Sequence, residues 1–192
     1  MRHINFIPAP RFVEIHTRGG LVHWQVDDAI YFITFSLFDA IPAHAYAELC
    51  RERDRLLRSA STVAERAQID RVFQLGIDRE LDDVRGSCLL REHGEVVASA
   101  LRYFDGQRYT LHAWCVMPNH VHVLLHIERG ANLPKIVQAW KSYTAHKIGL
   151  GVIWQRRYFD RVVRSPQEYS DTRAYIRNNP AKAGLRDWAW VG

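Results

Sequence analysis

Cysteine is scarce in this sequence: Cys50, Cys88 and Cys115 are odd in number, lie far apart and form no CxxC pair. That excludes a disulfide framework and a zinc knuckle, and it points to a reducing compartment. Long apolar runs are also missing. The opening residues Met1-Arg2-His3-Ile4-Asn5-Phe6 contain no apolar stretch of signal-peptide length, and no later run approaches a membrane span. The expectation is a soluble, cytoplasmic protein without membrane contact. Internal repeats and low-complexity tracts are absent as well. What remains is ordinary globular material: 192 residues, 47% hydrophobic and 24% charged, enough for one domain with insertions.

Basic residues outnumber acidic ones, 26 to 21, for a net charge of +5 and a pI near 9.3. The surplus is unevenly placed. From Leu133 onward, Lys135, Lys141, Lys147, Arg156, Arg157, Arg161, Arg164, Arg173, Arg177, Lys182 and Arg186 face only Asp160, Glu168, Asp171 and Asp187. Such a bias suits a phosphate backbone as partner.

Residues 1–28 carry Pro8, Pro10, Gly19 and Gly20 and read as an N-terminal arm or short edge hairpin. Alternation of large apolar and smaller polar residues predicts a strand over 29–38. Ala, Leu, Glu and Arg then predict a helical insertion over about 40–85, with helices at 43–58 and 62–81. The second would bury Val63, Ala67, Val72, Phe73 and Ile77. A further amphipathic helix is expected over 87–104, strands over 109–116 and from His120, and a helix over 133–148 with Ile136, Ala139, Trp140 and Tyr143 inward. A basic aromatic strand is read over 152–163. Ser165-Pro166-Gln167-Glu168 starts the last helix with a capping box, and Asn179-Pro180 stops it. This order describes an α+β, ferredoxin-like (RRM-like) antiparallel sheet with helices on one face and a further helix at the C-terminal end. Residues 29–185 form the domain and 186–192 a short tail.

The chemistry centres on His120-Val121-His122. In a strand these two imidazoles share one face, with Leu124 and His126, as two ligands of one metal ion would. His126 is a weaker third candidate, and His112 lies on the preceding strand. Asn119 reads as a turn residue. On the last helix Tyr175 and Asn179 are four apart, hence on one face, beside a core-like stripe of Tyr169, Thr172 and Ile176. A phenol attacks phosphorus when a divalent cation polarises the phosphate. Two imidazoles and the Asn179 amide oxygen would suit Mg²⁺ or Mn²⁺, with positions left for phosphate and water.

Three ordered motifs carry a resemblance: Val116-Met117-Pro118-Asn119-His120-Val121-His122, then Trp154-Gln155-Arg156, then Tyr175-Ile176-Arg177-Asn178-Asn179-Pro180-Ala181-Lys182-Ala183-Gly184-Leu185. Together they resemble the REP-associated tyrosine transposases, a branch of the single-tyrosine HUH (IS200-like) transposases. The resemblance implies a metal-dependent endonuclease and strand transferase acting on single-stranded or hairpin DNA. His120 and His122 would hold the metal and Asn179 would assist it. Tyr175 would attack the scissile phosphate, leaving a 5′-phosphotyrosine and a free 3′-hydroxyl. Trp154, Arg156, Arg157, Lys141 and Lys182 would bind the strand, with Trp154 open between stacking and core. Ala181 stands where valine is usual. Relatives work as monomers or as dimers exchanging the tyrosine helix, so monomer and homodimer both stay open.

Two other readings fit the residues: a non-catalytic nucleic-acid-binding module on the same fold, and a His-x-His phosphoesterase. Few acidic ligands near the histidines in sequence argues against the latter.

Overall fold

The computed structural model describes residues 14–18 and 21–192, with side chains from residue 26 onward except those of Val63 and Ala67. Two short strands come first, β1 (Glu14–Arg18) and β2 (Leu21–Gln25), and pair antiparallel as an edge hairpin. Residues 1–13, nearly half of the expected arm, and Gly19-Gly20 lie outside the described residues.

The main sheet has the strands β3 (Ala29–Ser36), β4 (Tyr109–Val116), β5 (His120–Ile127) and β6 (Phe159–Val162), in the order β4-β5-β3-β6 with every pair antiparallel. Between β3 and β4 come α1 (Ala43–Ser59), α2 (Val63–Asp82) and α3 (Leu90–Arg102). α4 (Leu133–Ile148) joins β5 to β6, and α5 (Pro166–Lys182) follows. Without the α1–α2 insertion this is β-α-β-β-α-β with the two central strands β3 and β5 adjacent, the ferredoxin-like arrangement.

Alternation assigns the two faces. Tyr31, Ile33 and Phe35 of β3 and Val121, Val123 and Leu125 of β5 join the large core formed with α1 to α4. Ile30, Phe32 and Leu124 point the other way and pack under Ile176 of α5. The C-terminal helix therefore lies on the face opposite α3 and α4. A bulge between Leu111 and Ala113 of β4 resets the alternation, so Leu111 and Trp114 both reach the large core.

Several local readings need correction. The 152–163 strand is regular only at β6, because Trp154 and Tyr158 turn into the core and only an isolated bridge from Trp154 to Leu37 precedes β6. Pro180 does not stop α5. The helix runs on to Lys182, since a proline in the last turn forfeits a single hydrogen bond. Ser165 does cap Glu168, but the Glu168 carboxylate accepts from the Arg164 N–H, so the true capping box is Thr62 with Glu65 on α2. On α4 the inward residues are Ile136, Val137, Trp140 and Thr144, while Tyr143 is exposed. On α2 Val72 is exposed, and Phe73, Ile77 and Leu81 form the apolar stripe. The tail is bound to the sheet: Trp114 and Gly192 exchange backbone hydrogen bonds at 3.0 Å, and the Trp188 indole donates to the Val116 carbonyl at 2.7 Å.

Candidate active site

The site lies on the α5 side of the sheet. β3–β5 pairing sets Thr34 opposite His122 and Ser36 opposite His120, so the histidines and Thr34 project together from two adjacent strands. Both imidazoles are fully buried, with Nε2 atoms 3.0 Å apart. His120 Nδ1 lies 2.8 Å from Asn119 Oδ1, and His122 Nδ1 lies 2.9 Å from Thr34 Oγ1. The Asn119 amide also donates to the Arg85 carbonyl at 3.0 Å, which fixes Oδ1 as its acceptor end. The His120 proton is thereby assigned to Nδ1, leaving Nε2 with a free lone pair. His122 is not locked in this way, because the Thr34 hydroxyl can donate or accept.

Burial drives both histidines toward the neutral form. His120 falls well below its ordinary pKa, with His122 adding to the effect, and His122 falls to about 3. Neutral imidazoles are what a cation requires.

α5 crosses over this pair. The Tyr175 ring meets His122 edge-on at 5.3 Å and Phe32 at 6.1 Å, while Phe32 stacks on His122 at 5.4 Å. One chain thus brings the tyrosine to its own histidines. Asn179, one turn on, is 1% exposed. Its amide faces the Asp82 carboxyl and the Tyr175 hydroxyl. Neither contact closes to a hydrogen bond, and both Asn179 amide atoms and the Tyr175 hydroxyl lack a partner among the described residues. Burial, then the Asp78 and Asp82 carboxyls, pushes the phenol well above its usual range, with the Asn179 amide opposing.

Asp82 is the residue that sequence reasoning misses. One of its carboxylate oxygens and the two histidines' ring nitrogens lie within 4.8 Å of one another, so the histidines do have an acidic neighbour, delivered by the inserted hairpin. A signal for it exists: Gln74, Asp78 and Asp82 recur every four residues, one position after the apolar stripe of Phe73, Ile77 and Leu81. Asn119 is likewise more than a turn residue. It ties the C-terminal end of α2 to His120.

Other candidates, Lys182 excepted, fall away from this centre. The other end of β5 carries His126, whose Nε2 lies 2.8 Å from Asp28 Oδ1. His112 Nδ1 lies 2.9 Å from the Tyr169 hydroxyl. Trp154 is buried, its indole donating to Thr144 Oγ1 at 2.9 Å, so its ring presents no face to a base. Lys141 holds the 155–157 loop, donating to the Gln155 and Arg157 carbonyls at 2.6 and 3.0 Å. Arg157 donates to the Tyr46 hydroxyl. Arg156 is exposed on a groove of about 560 Å³ between α4 and that loop. Lys182 is exposed too, its ammonium 5.1 Å from the centre of the Tyr175 ring.

Comparison with known proteins gives the chain a family and a fold. The family described as "Transposase IS200 like" matches residues 85–179, which excludes β3 and the α1–α2 hairpin. A REP-associated tyrosine transposase of Escherichia coli is 30% identical over 112 residues, covering 54% of this chain and 67% of that protein. The chain belongs to the REP-associated tyrosine transposase family. A Haemophilus influenzae protein named for the same family is 24% identical over 98 residues, 41% of this chain and 55% of its own length. A solved structure of a REP-associated tyrosine transposase bound to a REP hairpin superimposes with a TM-score of 0.60 at 19% identity, over 88% of this chain and 79% of that one. That likeness establishes the fold. Among the described residues no helix is long and apolar enough to cross a membrane.

Proposed function

We propose that this chain cuts and rejoins single-stranded DNA at hairpin-forming repeats, with Tyr175 as the nucleophile. One observation carries the reading: a half-buried tyrosine, its hydroxyl buried without a hydrogen-bond partner among the described residues, stands against a pair of neutral imidazoles whose Nε2 atoms face each other at 3.0 Å. Two ligand atoms at about 2.1 Å from one ion and at right angles stand about 3.0 Å apart, as in the octahedral sphere that Mg²⁺ demands. The residues fit a divalent cation held by His120, His122 and the Asn179 amide oxygen. Such a cation, Mg²⁺ or Mn²⁺, would withdraw charge from the scissile phosphate.

Tyr175 would supply the phenol oxygen for an O–P bond while the bond from phosphorus to the 3′ oxygen breaks. The phenol proton is lost, and the departing 3′ oxygen takes one up. The 5′-phosphotyrosine conserves the bond energy, so another 3′-hydroxyl can reverse the attack without ATP. The strand would approach along the groove of about 460 Å³ between α2 and α5, whose lining includes Arg71, Arg161 and Tyr175. Arg156 and Lys182 would contact phosphates beyond it, with Lys141 and Arg157 shaping the loop that presents Arg156. A cytoplasmic protein meeting single-stranded DNA goes with this reading.

The test is a denaturing gel of the protein with an end-labelled hairpin repeat and Mg²⁺ or Mn²⁺. A labelled band at protein size that disappears in Tyr175→Phe is expected. Equal binding with and without metal, with no cleavage under any divalent ion, would instead favour a non-catalytic DNA-binding protein.

A further inference from the structure

We propose that Asp82 is a further protein ligand of the cation held by His120, His122 and Asn179, so that the inserted α1–α2 hairpin forms one wall of the metal centre. The inference rests on the metal reading above and extends it to a segment outside the residues that the transposase family matches.

The placement comes first. α2 ends at Asp82, and a carboxylate oxygen of that residue lies within 4.8 Å of the ligand nitrogens of both histidines. Its Oδ1 is buried without a hydrogen-bond partner among the described residues. An independent feature points into the same space: Asn179, 1% exposed, has both amide atoms buried and unpartnered there and faces Asp82. Buried polar atoms are seldom left unpaired, so the unpartnered atoms of Asp82 and Asn179, two residues that face each other, imply an occupant. The donors are two nitrogens, an amide oxygen and a carboxylate oxygen, which suits a hard or borderline dication.

Charge argues the same way. His120, His122 and Asn179 are neutral donors, and a dication buried among them would keep its whole charge, whereas Asp82 supplies one negative charge inside the shell. Asp82 also sits at the C-terminal end of a 20-residue helix, where the macrodipole favours a cation. The hairpin is held in register for this task, because Asn119, next to His120 in sequence, donates to the Arg85 carbonyl just beyond α2.

The experiment is a Mn²⁺ titration of the full chain, followed by calorimetry and by water-proton relaxation, which counts waters on the bound ion. Asp82→Asn is expected to weaken Mn²⁺ binding about tenfold or more and to add one bound water. Asp83→Asn, which removes an exposed neighbouring carboxylate, is expected to stay within twofold of the wild type. An Asp82→Asn affinity within twofold, with unchanged hydration, would overturn the inference. His120→Ala separates this failure from a deeper one. If the wild type binds no Mn²⁺, or His120→Ala binds it equally well, the metal reading itself falls and the role of Asp82 with it. Hydrogen exchange on the wild type requires no variant to fold: Mn²⁺ should protect the amides of the last turn of α2, and unchanged exchange there would refute the proposal.

Discussion

Asn119 Oδ1 accepts a hydrogen bond from His120 Nδ1 at 2.8 Å, while the same amide donates to the Arg85 carbonyl at 3.0 Å. A residue that reads in sequence as half of a Pro-Asn turn thus sets the tautomer of one histidine and anchors the inserted hairpin. Asn119→Ala is expected to weaken Mn²⁺ binding by about 10- to 100-fold, the usual consequence of removing a partner that orients a ligand. It should also lower stability by about 1–3 kcal/mol, since the Arg85 carbonyl and the buried Nδ1 lose their partner. Calorimetry and urea unfolding measure the two effects.

Thr34 separates two states of His122. The hydroxyl can donate to Nδ1 of a ring protonated on Nε2 and can accept from Nδ1 of a ring that, on the proposed reading, would hold a cation through Nε2. Thr34→Val removes that adaptability at nearly constant shape, whereas Thr34→Ser retains it. Mn²⁺ affinity should fall severalfold or more in the valine variant and remain near the wild type in the serine variant.

Stability should depend on pH through opposing groups, Asp78 on one side and the two buried histidines on the other. Asp78 is raised to about 7, chiefly by burial and secondarily by Asp82, so its favourable contribution is complete below pH 4 and is lost as pH rises through about 7. His122, depressed to about 3, does the reverse: its contribution is complete above about 6.5 and is lost as pH falls toward 3. In chelator, Asp78→Asn should therefore gain on the wild type between pH 5 and 8 by about 2–4 kcal/mol, since a tenfold change in proton affinity is worth roughly 1.4 kcal/mol. Urea melts across that range provide the check, and a constant difference would contradict the assignment.

Gly94 on α3 faces the Trp190 indole so closely that an added Cβ would lie 2.4 Å from it. Alanine would gain about 1 kcal/mol of helix propensity, yet overpacking costs about 1–3 kcal/mol, so Gly94→Ala should destabilise. In a Trp190→Ala background the same change should become neutral or stabilising.

Much of this arrangement is legible in the sequence because it is local. Period-two alternation places β3, β4 and β5, helical composition places α1 to α4, and the His-Val-His spacing puts two imidazoles on one face without any tertiary contact. Tyr175 and Asn179 share a helix face for the same reason. What escapes depends on tertiary packing. The β4 bulge is invisible to a period count, Trp154 and Tyr158 sit in a segment whose β-like composition hides an irregular, inward-turned loop, and Lys141 looks like a solvated cation although two carbonyls hold it. Asp82 escapes because the insertion reads as an independent hairpin. Its polar stripe acquires meaning only when α2 is seen to end beside His120.

The most direct test of the central claim, that Tyr175 and the histidine pair form one DNA-cleaving site, is peptide mapping of the covalent product by mass spectrometry. The protein is incubated with a hairpin repeat in Mn²⁺, digested with protease and nuclease, and searched for the modified residue. The expected product is a nucleotide 5′-phosphate on the peptide containing Tyr175, absent in Tyr175→Phe and in His120→Ala. An adduct on Tyr158 or Tyr169, or one that persists in Tyr175→Phe, would contradict that claim.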